Sequence, residues 1–413
     1  MSHDRYYDIV IVGAGASGLM SACLLACSGK SVLILEKEPK PGRKLLATGN
    51  GRCNLTNLDM SWRKYYGDRE WVSTVIESVP PRRVIRTFEN LGVMTREQDG
   101  YVYPHTNQAS TVLNMLLRGC QTPQITLETE QRVTDIHVRG NGETPEEDII
   151  DVDPEDGVIL SAPARFTVDT ETASYGCEYL ILATGGPAGK EQGGCDDGYA
   201  LLRRLGHTVT PVYPGLTGLH AAGRWWKEVA GSRVRGSFTL FTDGTRNETH
   251  TGEIQITKTG VSGIPVFQVC RLAAESLEKN EKVAGSIDFV PTMTEEECER
   301  WITRFGLDGL VPVKWIPVLK REGKDAGTLA RIIRDFSFTI TDTYGIDRAQ
   351  VSAGGVPTSE VSPLSFESQV CEGLYVMGEL NNADGICGGY NLHLAWSSAI
   401  LATESILDEN TTE

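Results

Sequence analysis

Three glycines near the start of the chain have the spacing of a phosphate-binding turn. Gly13, Gly15 and Gly18 form the pattern G-x-G-x-x-G. The first glycine permits a tight turn, the second lets the backbone approach a pyrophosphate, and the third lets a helix pack closely on a strand. Glu36 follows 18 residues after Gly18, where a carboxylate accepts hydrogen bonds from ribose hydroxyls and repels a 2′-phosphate. These residues predict a dinucleotide site.

The elements around this pattern support the prediction. Tyr7–Val12 (YDIVIV) is a short β-branched run typical of a buried parallel strand, and Ser31–Leu35 (SVLIL) is a second one. Leu19–Ser28 is apolar and rich in helix-forming residues, and Gly29 ends it. The order strand, glycine turn, helix and strand is the context in which the pattern indicates a dinucleotide. The helix would direct its N–H groups and positive dipole end at the phosphates.

A second glycine turn occurs about 360 residues later. The strand Leu374–Met377 leads to Glu379, and Gly388-Gly389 opens a helix over about 391–407. A single nicotinamide site does not need this second cradle, whereas the long ribityl arm of FAD does. We expect Glu379 to bind ribityl or phosphate-linked groups. The helix start at Asn391 would place its dipole against the pyrimidine end of the flavin.

Two further segments are expected to complete the site. Ile125–Val138 alternates as a strand or hairpin would, and Val133 is placed where a third strand passes the adenine. Thr184 follows the buried strand Tyr179–Ala183 and precedes two glycines, which would return the chain past the pyrophosphate. An acidic stretch without lysine or arginine between Arg139 and Arg165 is predicted to be a solvated hairpin tip.

The fold class predicted from this order is α/β. A Rossmann-like FAD-binding domain is expected in two parts, 1–189 and 346–413, interrupted by an inserted β-barrel-like and helical domain at 190–345. Thr294 and Glu297 are spaced as a capping box before an amphipathic helix in the inserted domain.

Composition excludes several other classes of protein. Lys and Arg number 39 against 55 Asp and Glu, which gives a formal net charge of −16. Nucleic-acid binders need a basic footprint, and anionic membranes attract basic surfaces, so neither partner is expected. There is no apolar run long enough to span a membrane and no secretory signal is evident at the N-terminus. The ten cysteines form no C-x-x-C pair, so we expect a cytoplasmic protein with reduced thiols.

The chain resembles the two-dinucleotide-binding-domain flavoproteins. More narrowly, it resembles the aminoacetone-oxidase-like and BaiN-like (YhiN-type) group of NAD(P)/FAD-dependent oxidoreductases. The segments that carry the resemblance are Pro41–Lys44 (PGRK), Gly51–Asn57 (GRCNLTN), Ser352–Val356 (SAGGV) and Gly388–Leu392 (GGYNL). The sequence departs from this group at His393, where the group more often has glutamine.

The resemblance implies a set of FAD-contacting residues. These are Gly13, Ala14, Gly15, Ala16, Ser17, Gly18, Glu36, Lys37, Lys44, Gly51, Arg52, Cys53, Asn54, Val133, Thr184, Glu379, Gly389, Asn391 and Leu392. The residues themselves support the glycines and Glu36 independently, and cations in the loop around Lys44 and Arg52 suit a diphosphate.

Catalytic side chains are not identified by the sequence. No histidine pair or Cys/His cluster has metal-ligand spacing, so no metal site is expected. His393 either lies near the flavin or packs in the helix. His105 either lies near the substrate or is an ordinary loop residue. Cys53 and Cys387 either pack as small side chains or take part in thiol–flavin redox chemistry.

The expected reaction is hydride transfer through flavin N5 on a small organic substrate. One version is NAD(P)H-linked reduction of an activated C=C or imine. The alternatives are an aminoacetone-type amine oxidase that uses O₂ and a flavin-carrying RNA-modification or scaffold protein.

Overall fold

A computed structural model describes residues 5–139 and 164–408 of the chain. The strands are β1 (Arg5–Val12), β2 (Val32–Glu36), β3 (Thr56–Asn57), β4 (Tyr65–Tyr66), β5 (Thr95–Gln98), β6 (Tyr101–Pro104), β7 (Ile125–Thr129), β8 (Val133–Val138), β9 (Phe166–Thr170), β10 (Ser174–Leu182), β11 (Tyr213–Gly215), β12 (Leu219–Ala221), β13 (Arg233–Thr242), β14 (Thr245–Ile256), β15 (Gly260–Ser262), β16 (Val283–Asp288), β17 (Phe336–Thr343), β18 (Val351–Ala353), β19 (Leu374–Val376) and β20 (Asp384–Gly385).

The helices are α1 (Ala16–Leu25), α2 (Arg43–Ala47), α3 (Arg69–Ser78), α4 (Pro81–Asn90), α5 (Ala109–Gly119), α6 (Asp197–Arg204), α7 (Trp226–Val229), α8 (Ile264–Phe267), α9 (Cys270–Glu278), α10 (Glu295–Phe305), α11 (Ile316–Glu322), α12 (Ala326–Arg334) and α13 (Tyr390–Asp408). The chain divides into two compact units. The first comprises the described parts of Met1–Pro187, Glu191–Pro211 and Gly354–Glu413, and the second comprises Ala188–Lys190 and Val212–Ala353.

The first unit is built on a seven-stranded sheet in the order β7-β2-β1-β10-β9-β8, with β19 also pairing with β10. The strands β7, β2, β1, β10 and β19 run parallel. Every residue of β2 is buried, as expected for a parallel sheet that is covered on both faces. Since the carboxyl ends of parallel strands lie at the same edge of a sheet, the turns after β1, β2, β10 and β19 meet at that edge.

The second unit contains a closed antiparallel barrel in the order β12-β15-β14-β13-β16-β17. Its core is aromatic, with Trp226, Trp315 and Phe238 almost completely buried. Helix α10 begins with the predicted capping box: the Thr294 side chain accepts from the Glu297 N–H, and the Glu297 carboxylate accepts from the Thr294 N–H.

The predicted α/β class, with a Rossmann-type sheet and a barrel, is confirmed. The prediction that Ile125–Val138 forms one strand or hairpin was wrong. The segment is two strands that do not pair with each other, because β7 joins β2 in parallel and β8 joins β9 in antiparallel. The acidic stretch predicted as a hairpin tip lies mostly outside the described residues.

Candidate functional site

The first glycine turn (Gly13–Gly18) connects β1 to α1, and two of its glycines are required by packing. An ideal Cβ on Gly13 would lie 2.6 Å from the Ala183 carbonyl oxygen, and one on Gly18 would lie 2.0 Å from the Gly13 carbonyl oxygen. Both distances are far below van der Waals contact. The turn is also anchored by a hydrogen bond from the Gly13 N–H to the Leu35 carbonyl, at 2.8 Å.

Gly15 has a different environment. The nearest atom to an ideal Cβ there is the Ala183 carbonyl oxygen at 3.9 Å, so the space in front of Gly15 is open. Gly15 is the N-cap of α1 and provides no side-chain cap. The N–H groups of Ala16, Ser17 and Gly18 therefore have no acceptor within the helix. Open space beside free N–H groups is what an incoming phosphate requires.

Glu36, at the end of β2, lies beside this turn and is 9% exposed. One carboxylate oxygen accepts from the Ala14 N–H at 2.8 Å, and the other accepts from the Glu38 N–H at 2.9 Å. A carboxylate has about four acceptor positions, so it can also accept from ribose hydroxyls.

These residues line an open cleft in the first unit. The predicted site residues in its wall are Gly13, Ala14, Gly15, Glu36, Lys37, Lys44, Val133 and Thr184. In the described part of the chain, five cationic and three acidic side chains line the cleft. The cleft is therefore locally positive in a chain whose net charge is −16, which favours an anionic ligand.

An ion pair joins this cleft to the C-terminal part of the first unit. The Lys44 ammonium donates to both carboxylate oxygens of Glu379, at 2.8 and 2.7 Å. An ideal Cβ on Gly378 would lie 3.6 Å from the Ser17 Oγ. The first glycine turn and the segment that begins at Gly378 are therefore neighbours, although 335 residues separate Lys44 from Glu379.

The second glycine turn (Gly388-Gly389) packs against the loop that carries Arg52, Cys53 and Asn54. An ideal Cβ on Gly389 would lie 2.9 Å from the Asn54 Cγ. The Asn57 amide donates to the Gly388 carbonyl at 3.0 Å. The loop therefore lies against the start of α13, which follows the turn.

Polar groups near this turn are not all satisfied. Asn54 is 8% exposed, and no hydrogen-bond partner of its Oδ1 is found among the described residues. Buried oxygens normally have partners, so a donor from a bound ligand would fit there. The Asn391 side chain is already engaged, since it accepts from the Gly385 N–H at 2.8 Å and donates to the Gly385 carbonyl at 2.6 Å. Its position is thus fixed by the chain itself.

The remaining predicted residues lie around these two turns. Gly51 and Arg52 are exposed, Cys53 is buried, and Gly389, Asn391 and Leu392 are half-buried at the start of α13. The structure therefore places the predicted residues in two groups within the first unit, linked by Lys44 and Glu379.

Burial limits the chemistry of the candidate reactive groups. Burial raises the pKa of the Cys53 thiol to about 12 and also raises the pKa of the Cys387 thiol, so both are poor nucleophiles. Burial lowers the pKa of His393 to about 4. His393 Nδ1 lies 2.8 Å from the Thr56 Oγ1, so His393 is a neutral, packed helix residue. His105 is exposed.

The sequence prediction missed the ion pair between Arg132 and Asp197 in the cleft wall. The Arg132 guanidinium binds the Asp197 carboxylate through two hydrogen bonds, at 3.1 and 2.6 Å. This contact lowers the pKa of Asp197 against the raising effect of burial. The position of Arg132 next to the predicted site residue Val133 was the only signal in the sequence. Nothing in the sequence indicates that α6, which begins at Asp197, reaches this position.

No cluster of three or more His, Cys, Asp or Glu side chains that could hold a metal occurs in residues 5–139 and 164–408. Over the same ranges, no helix is long and apolar enough to cross a membrane.

Residues 7–405 match the family model of the HI0933-like protein Rossmann domain. The chain is 36% identical to the 3-dehydro-bile acid delta(4,6)-reductase of Clostridium scindens, covering 95% of this chain and 97% of the relative. It is 24% identical to the ribosomal RNA dihydrouridine synthase of Escherichia coli, covering 97% and 98%. The solved 3-ketosteroid-delta4-(5alpha)-dehydrogenase of Rhodococcus jostii superimposes with a TM-score of 0.53 at 13% identity, covering 98% of each chain.

Proposed function

This chain belongs to the HI0933-like Rossmann family, and on that premise we propose that it is an FAD-dependent oxidoreductase that reduces an activated C=C bond with NAD(P)H. The proposed substrate is a small organic molecule whose double bond is conjugated to a carbonyl. The names of two relatives point to the same kind of substrate. A 3-oxo bile acid with delta-4 and delta-6 bonds and the uracil ring both contain a double bond conjugated to a carbonyl.

The observation that carries the proposal is the pair of linked glycine turns. Gly15 leaves open space at the free N–H groups of α1, and Asn54 leaves an unsatisfied oxygen beside Gly389. One compact ligand would not need both. FAD has a diphosphate for the first turn and a hydrogen-bonding ring for the second.

The proposed roles of the residues follow from their contacts. The N–H groups of the first glycine turn bind the diphosphate, Glu36 binds ribose hydroxyls, and Lys44 neutralises negative charge while it positions Glu379. Val133 closes the adenine side of the cleft, and Thr184, which lies against Gly13, adjoins the diphosphate. Asn54 and the start of α13 orient the ring. When bound, FAD supplies hydride transfer at its N5 atom.

The test is anaerobic mixing of the purified yellow protein with NADH and with NADPH in a stopped-flow spectrometer. We expect one nicotinamide to bleach the flavin absorbance and a 3-oxo-4-ene steroid to restore it. Absence of bleaching with either nicotinamide would remove the reductase version. Recovery by O₂ but not by any unsaturated carbonyl compound would favour an oxidase.

A second candidate function is reduction of uridine in ribosomal RNA, favoured by the name of the Escherichia coli relative. The net charge of −16 opposes binding to an RNA backbone. The reduced protein should therefore leave protein-free ribosomal RNA unchanged. Formation of dihydrouridine in that RNA, measured by mass spectrometry, would support this candidate instead.

A further inference from the structure

Strand β6 presents two phenol side chains on one face, beside the second glycine turn. Tyr101 and Tyr103 are half-buried, whereas the two residues that alternate with them are buried. Successive side chains of a strand point to opposite faces, so the phenols share one face. An ideal Cβ on Gly388 would lie 3.5 Å from the Tyr101 Cε1. This face therefore adjoins the region proposed to hold the flavin ring.

Two arginines flank Tyr103. Arg96 is directly opposite Tyr103 in the pairing of β5 with β6, and its guanidinium carbon lies 5.7 Å from the Tyr103 ring centroid. Arg52 approaches the same ring at 5.4 Å. Arg52 is held near β6 because the Leu55 N–H, three residues later, donates to the Val102 carbonyl at 2.8 Å.

Neither guanidinium is neutralised by a carboxylate in the described part of the chain. Arg96 donates to the amide oxygens of Gln98 and Asn107, at 3.3 and 3.1 Å. Arg52 donates to the Gly49 carbonyl at 3.2 Å.

A structural role explains this arrangement only in part. A guanidinium over a tyrosine ring is weakly attractive, but a second guanidinium on the same ring repels the first. The Tyr103 hydroxyl also has no hydrogen-bond partner among the described residues. Burial raises the pKa of Tyr103 while Arg52 lowers it, so the phenol stays neutral and available as a donor. Arg52, Arg96 and Tyr103 together therefore offer hydrogen-bond donors without a negatively charged acceptor.

We infer that Arg52, Arg96 and Tyr103 form a substrate subsite that binds the carbonyl oxygen of an α,β-unsaturated carbonyl compound. The inference rests on the proposed function and adds the residues that recognise its substrate. As the β-carbon of the substrate accepts hydride, the double-bond electron pair moves toward the α-carbon and the carbonyl, and the oxygen becomes negative. Donors aimed at that oxygen stabilise the charge.

The atoms and electrons of the reaction balance. The substrate gains one hydride at the β-carbon and one proton from water at the α-carbon, the C=C bond becomes a single bond, and the nicotinamide is oxidised. The subsite supplies positive charge and hydrogen bonds and is itself unchanged.

The test measures binding of pentafluorophenol, which is a phenolate at neutral pH and mimics the substrate oxygen when it is negative. The FAD-loaded protein is titrated, and the long-wavelength charge-transfer absorbance of the phenolate beside the flavin is recorded. Arg96→Gln and Tyr103→Phe are compared with the wild type. Arg96→Lys keeps the charge, and pentafluoroanisole has the same ring as the probe but cannot ionise. Arg69→Gln is the matched control, because Arg69 also stacks on an aromatic ring, that of Trp62 at 4.3 Å.

We expect Arg96→Gln to weaken phenolate binding by about tenfold or more and Tyr103→Phe by about tenfold, as for the loss of a hydrogen bond to a charged group. Arg96→Lys should recover part of the affinity, and Arg69→Gln and pentafluoroanisole binding should show no change. Wild-type affinity in both subsite variants, or no phenolate binding by yellow wild-type protein, would overturn the inference. Wild-type protein that binds no FAD would contradict the proposed function instead.

Discussion

The two glycine turns of the first unit use glycine for opposite purposes. At Gly15 the missing side chain leaves open space, and the nearest protein atom to an ideal Cβ is 3.9 Å away. At Gly389 the missing side chain lets two distant segments of the chain touch, with Asn54 atoms 2.9 Å from the ideal Cβ position. The first turn thus leaves room for a ligand, whereas the space at the second turn is filled by neighbouring protein atoms. Substitutions at the two turns should fail in different ways.

The largest effect is expected for Gly15→Val. The branched side chain would extend into the space proposed for the diphosphate, so FAD affinity should fall at least about 100-fold, or about 2.7 kcal/mol. The purified variant should be colourless. Its unfolding midpoint without cofactor should equal that of wild-type protein stripped of FAD. A yellow, fully loaded variant would contradict the site.

Gly389→Ala should destabilise the fold itself. Gly389 has φ of +95°, and its Cβ would collide with Asn54, so we expect a loss of about 2–3 kcal/mol in the free energy of unfolding. Denaturant titration of the cofactor-free protein measures it. Gly29→Ala is the matched control, since Gly29 has φ of +79° with no atom within 4 Å. If both variants lost the same stability, the packing of the second turn would be unimportant.

The burial of His393 behind the second turn predicts a pH dependence. Its folded pKa of about 4 is below the unfolded value of 6.5, so the unfolded chain binds the proton more readily. Stability is complete above pH 6.5 and falls as the pH drops toward 4, by about 2 kcal/mol at pH 5. His393→Gln should lose less stability between pH 7 and pH 5, whereas His105→Gln, at an exposed position, should behave like the wild type.

The smallest effect is expected for the ion pair that links the turns. Lys44→Gln leaves the Glu379 carboxylate without its cation near the proposed diphosphate, so FAD affinity should fall about fivefold, in line with about 1 kcal/mol for a half-exposed pair. The double variant Lys44→Gln/Glu379→Gln removes both charges and should recover most of the affinity. No recovery would mean that Lys44 binds the cofactor directly rather than through Glu379.

The sequence predicts the first turn well because its determinants are local. Gly13, Gly15, Gly18 and Glu36 lie within 24 residues, and their spacing determines which groups meet. The contact between Lys44 and Glu379 spans 335 residues, so no local pattern contains it.

Strand pairing was the other information that the sequence did not supply. The strands β7 and β8 were predicted as a single strand or a hairpin because alternation does not identify a strand's partner. The same ambiguity hid the position of Arg96 opposite Tyr103, which depends on the register of β5 with β6.

The central claim is that a single FAD molecule lies against both glycine turns. A crystal structure of the yellow, FAD-loaded protein tests it most directly. We predict the diphosphate at the N–H groups of Ala16 and Ser17 and the flavin ring beside Asn54 and Gly389. A flavin ring located away from the second turn, with the diphosphate still at the first, would contradict the account.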